Sequence, residues 1–67
     1  MDEDTRDLIR QLCTRVGMIM EDASMLAVSM PARDHDTAGA ALVRLTADAT
    51  CIQRLLAAAS ALVERSR

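Results

Sequence analysis

The chain contains no Phe, Tyr or Trp and no lysine. Without aromatic rings it lacks the anchors that most often dominate protein hot spots, and the platforms on which unpaired bases stack. All 8 basic residues are arginines, set against 10 acidic residues for a formal charge of −2. A slightly acidic chain does not capture phosphate backbones by charge alone, so nucleic acid is not the expected partner. Two cysteines allow at most one internal bridge, and with a single His they make a poor zinc set. No apolar run approaches the ~18 residues of a spanning helix, and the acidic start Asp2, Glu3, Asp4 is the opposite of a signal-peptide n-region. The expectation is a cytoplasmic protein with reduced thiols and no membrane partner.

What is present is aliphatic and periodic. On a 3.6-residue helix Leu8, Ile9, Leu12, Val16, Ile19, Ala23, Leu26 and Met30 fall on one face. After Pro31 the spacing resumes with Leu42, Leu45, Ala49, Ile52, Leu56, Ala59 and Val63. Gly17 weakens the first helix by roughly 1 kcal/mol relative to Ala, yet the pattern passes through it without a change of phase. Asp2, Asp4 or Thr5 can cap the first helix, and Asp34 or Asp36 the second. Pro31 stops the first helix at its preceding residues. The spacing therefore predicts one domain over residues 1–67, with a helix over about 3–30, a turn at 31–36 and a helix over about 36–65. Rods of ~42 Å joined by so short a turn are antiparallel neighbours. The alanine-rich second helix favours close packing.

One hairpin does not cover what these helices carry. The first has an apolar arc of about 140°, reaching Cys13 and Met20 on one margin, and the second is similarly broad. A core of this size rarely supplies more than ~3–5 kcal/mol without a further staple, and oligomerisation is the staple the composition leaves. The expected fold is all-α: an antiparallel two-helix hairpin dimerising into a four-helix bundle. Leu12, Val16, Ile19, Leu26, Leu45, Ile52, Leu56 and Leu62 are the expected self-association core. A turn near residue 33 sets residue i level with roughly 66 minus i, which brings Arg15 near Asp48 and Asp22 near Arg44. The competing reading pairs Asp48 with Arg44 one turn earlier, or with water.

No stretch carries a catalytic, cofactor or metal signature. Asp34, His35 and Asp36 form the only cluster of acid–base side chains, and three successive residues do not point at one ion from a regular helix. They read as cap and turn. Cys13 and Cys51 fall at similar heights on the margins of their faces, where free cysteines behave as small buried hydrophobes, with oxidation as the minority alternative. Met18, Met25 and Val28 lie off the core arc, where polar residues belong; flexible Met side chains suit adaptable binding grooves. These three are the candidate partner face. The function expected is a non-enzymatic interaction or regulatory module, a homodimer or tetramer that binds another protein. In inferred architecture the chain resembles the Rop-type dimer of helical hairpins, a likeness of shape without a shared motif. That resemblance implies the alternative, RNA binding, which requires Arg6, Arg10, Arg44, Arg54 and Arg65 to converge on one face.

Overall fold

The computed structural model describes residues 1–66. Both helices open on the same signal, Asp-x-Asp-Thr: Asp2 to Thr5 for α1 (Glu3–Val28) and Asp34 to Thr37 for α2 (His35–Arg65). In each case the first Asp is extended, and its carboxylate accepts the Thr backbone N–H at 2.8 Å. One of the four N–H groups left free at a helix start is thereby satisfied. Of the candidate caps, Asp2 and Asp34 are the ones used. Glu3, Asp4 and Asp36 then occupy first turns, at the positive end of each helix dipole.

Both capping carboxyls are more acidic than the usual 3.8. The Thr5 hydroxyl and then its N–H lower Asp2; the Thr37 N–H and then its hydroxyl lower Asp34. A carboxyl whose pKa is lower in the folded chain binds fewer protons there, so its stabilisation is complete above the unfolded value and is lost as pH falls through the folded one. Tm is therefore expected to fall on acidification below the ordinary carboxylate range. Asp34→Asn keeps a side-chain acceptor while removing the titration, so it should flatten part of that slope. Circular dichroism melts across the acid range check this; an unchanged slope in the variant would refute the assignment.

α1 ends at Val28, two residues before the expected stop, because Ser29 begins the turn. Its hydroxyl donates to the Leu26 carbonyl at 2.7 Å and accepts from Arg33 Nε at 3.1 Å. Pro31 then sits near the start of a single 3₁₀ turn, Met30–Ala32, where its fixed φ fits and its missing N–H is not needed. The chain reverses within these few residues and α2 returns along α1.

The shielded residues of α1 are Thr5, Ile9, Leu12, Val16, Ile19, Ala23 and Leu26. Those facing them on α2 are Ala38, Ala41, Leu45, Asp48, Ile52, Leu55, Ala59 and Leu62, with Cys51 and Val63 half-buried at the margins of the row. Spacings of four and three alternate without a break, the 3.5-residue period of a left-handed coiled-coil seam. Ala41 and Ala59 are buried in it, as is Val16 at 7% exposure. Alanines at the contact let the two axes approach closely. The result is a rod of 49 × 14 × 11 Å. Its radius of gyration is 15.4 Å, against about 11 Å for a compact chain of this length.

The seam of α2 is rotated from the one its leucines suggest. Leu42, Ala49 and Leu56 are exposed, and the row Ala41, Asp48, Leu55, Leu62 turns inward in their place. A helix apolar over so wide an arc offers two rows that can flank Leu45 and Ile52, and only one can meet α1. Asp48 is carried into the seam with it, its side chain 19% exposed, and is met by Arg44 Nε at 3.5 Å. This pair and Asp7–Arg10 are each formed within a single helix. Pairing across the hairpin, Arg15 with Asp48 and Asp22 with Arg44, does not form; the local i,i+4 partner is already in place within one helix.

Candidate interaction surfaces

With the seam assigned, every other residue has a definite flank. In an antiparallel pair, residues just after Leu12, Ile19 and Leu26 share a side with those just after Ala41, Asp48, Leu55 and Leu62. This flank carries Cys13, Met20 and Ala27 from α1, and Leu42, Ala49, Leu56 and Val63 from α2. An open groove confirms the juxtaposition: Ile9 and Cys13 line it together with Leu56, Ala59, Ser60 and Val63, and Glu64 stands at its edge. Next outward lie Gly17 and Ser24 on α1, and Gly39, Thr46, Gln53 and Ser60 on α2. From residue 13 on α1 and 39 on α2, these rows contain no charged side chain. The Thr46 hydroxyl, which would otherwise demand water, donates to the Leu42 carbonyl at 2.9 Å. A Cβ at Gly17 would meet nothing within 4 Å, so the hairpin itself does not require glycine there.

The opposite flank has a different character. Residues preceding the seam positions, Arg15 and Asp22 on α1 and Arg44 and Arg65 on α2, give it charges of both signs. Met18 and Met25 lie on its outer side, and Val28 faces away from α2; all three are exposed, Met25 by 75% and Val28 by 77%. Val43, also exposed, lies on the outward face of α2.

The residues expected to form a self-association core divide between two places. Leu12, Val16, Ile19, Leu26, Leu45, Ile52 and Leu62 line the hairpin's own seam, while Leu56, 45% exposed, stands on the uncharged flank. That flank is the feature the sequence reading overlooked. Its signal is a set of rows seven residues apart that carry no charge from residue 13 on α1 and from residue 39 to 63 on α2.

Cys13 is exposed on the uncharged flank, and Cys51 is half-buried on the charged one; both are free thiols. They sit on opposite sides of the seam. Arg6 and Arg10 lie on the flank opposite to that of Arg44, Arg54 and Arg65, and Arg10 and Arg44 each face a carboxylate. The five arginines do not converge. Among the described residues, no three His, Cys, Asp or Glu side chains are grouped as a metal set, and no helix is long and apolar enough to cross a membrane.

The fold defines an all-helical hairpin with two chemically distinct long surfaces. No family model, no curated protein and no solved structure matches this chain.

Proposed function

We propose that this chain is a non-enzymatic helical interaction module that works as a homo-oligomer and holds another protein on the surface marked by Met18, Met25 and Val28. The observation that carries this reading is how little the hairpin covers. Its accessible surface is 5176 Å², against about 4200 Å² for a compact chain of 7.3 kDa. Among the described residues only Val16, Ala41 and Ala59 are buried. An amphipathic helix pair that leaves Met20, Leu42 and Leu56 exposed stabilises itself by covering them with other helices. Exposed methionines suit the partner role because an unbranched thioether repacks against differently shaped surfaces at low cost.

Light scattering with refractive-index detection, across dilution and with and without reductant, tests the first half of the proposal. The expected result is a reductant-independent oligomer. A photo-crosslinking residue placed at position 25 tests the second half. In the native cell it should join the chain to a different protein, while the same residue at position 20 should join it to itself. A monomeric mass at every concentration, or exclusively self-linked products from position 25, would defeat the proposal.

A further inference from the structure

We infer that the uncharged flank is the self-association surface and that its occupant is a second copy of this chain; this rests on the oligomeric reading above and names the face through which it works. The first argument is the choice of seam. The hairpin carries Asp48 inward and leaves Leu42, Ala49 and Leu56 exposed, with Val63 half-buried at the end of their row. A lone hairpin gains from the reverse, because an apolar row in water and a carboxylate in a seam are each unfavourable. Both become reasonable once the outer row is covered.

The second argument is charge. A two-fold pair sets residue i of one copy against residue j of the other and j against i, so a charge on the patch loses its hydration and needs an opposite charge at that one matching position. From residue 13 on α1 and 39 on α2 the rows of this flank carry none, with Arg6, Arg10 and Glu64 gathered at one end of the rod, whereas the opposite flank carries both signs along its length. Area supplies the third. The uncharged part of α2 runs about 36 Å at 1.5 Å per residue, and the hairpin is 14 Å wide. That amounts to roughly 500 Å² of projected face per copy and roughly 1000 Å² for the pair, at the lower bound of about 1000 Å² for a specific interface. The excess of accessible surface over a compact chain is of the same order. The dimer so formed is a four-helix bundle whose outer charged flanks keep Met18 and Met25 uncovered.

The native cysteines report on this directly. Cys13 lies on the proposed interface and is exposed in the single hairpin, while Cys51 lies on the far flank. The reduced chain is labelled with a maleimide and the two sites are followed separately by peptide mass spectrometry, across dilution and in Leu56→Glu and Met25→Glu. At roughly a hundredfold above the dissociation constant, Cys13 should react about tenfold more slowly than in dilute protein. Cys51 should keep its rate. Leu56→Glu should abolish the protection with helix content unchanged, and Met25→Glu should preserve it. A chain that is dimeric by mass but whose Cys13 rate ignores both dilution and Leu56→Glu would overturn the assignment of the face and leave the oligomeric reading standing. A chain monomeric throughout would overturn both.

Discussion

Val16→Asp is expected to remove most of the helical circular dichroism signal at room temperature. Val16 sits near the middle of α1, is 7% exposed and faces α2 in the seam. A carboxylate there has no cation opposite it, because the α2 seam supplies Ala, Leu, Ile and Asp48. Burying an unpaired charge costs several kcal/mol, about 3–5 kcal/mol when a partner is missing. A helical domain of this size has about 3–5 kcal/mol in total, so the change consumes the margin. Met25→Asp introduces the same charge at a position 75% exposed and should shift stability by no more than about 0.5 kcal/mol. Chemical denaturation followed at 222 nm compares the two variants. Equal stability would mean that the seam does not lie where the alternation of four and three puts it.

The second large effect is expected at the opposite kind of position, where the fold survives and the assembly does not. Leu42→Glu combined with Leu56→Glu should convert an oligomer to monomeric hairpins. Both leucines are largely exposed in the hairpin, and Glu is a good helix former, so each chain should keep its helix content. In the assembled state the substitutions set four carboxylates into an apolar contact, where each loses its hydration without gaining a cation. A loss of at least about 3 kcal/mol, more than about a hundredfold in affinity, follows. Light scattering across dilution reads it, with circular dichroism as the control for folding. Retention of the wild-type mass would remove the uncharged flank from consideration.

These two variants mark the division between what one helix pair does for itself and what it leaves to others. Val16, Ala41 and Ala59 are the residues the hairpin buries unaided. Leu42 and Leu56, larger and more apolar than the alanines, are left outside because a helix can turn only one row toward its neighbour. Size and hydrophobicity of a residue therefore say little here about where it ends up. Its row decides, and the row is chosen for the whole helix at once.

On this protein the sequence by itself determined the helices and their reversal and narrowed each cap to two or three neighbouring residues. Those features are local: Asp2 and Asp34 cap residues three positions away, and Pro31 acts on its immediate neighbours. The inward face of α1 was legible for the same reason, since beside Ile9, Leu12, Val16, Ile19 and Leu26 there is no competing row as apolar. For α2 the amino-acid order allowed two seams, one through Leu42, Ala49 and Leu56 and one through Ala41, Leu55 and Leu62. Only the tertiary structure chose between them, because the choice depends on which row α1 can approach most closely across the whole length of the hairpin. That choice carried Asp48 inward, placed Cys13 and Cys51 on opposite sides, and gathered the uncharged rows of both helices onto one flank. A surface shared by two helices is set by their rotation about the common seam, and periodicity within either helix alone does not fix that rotation.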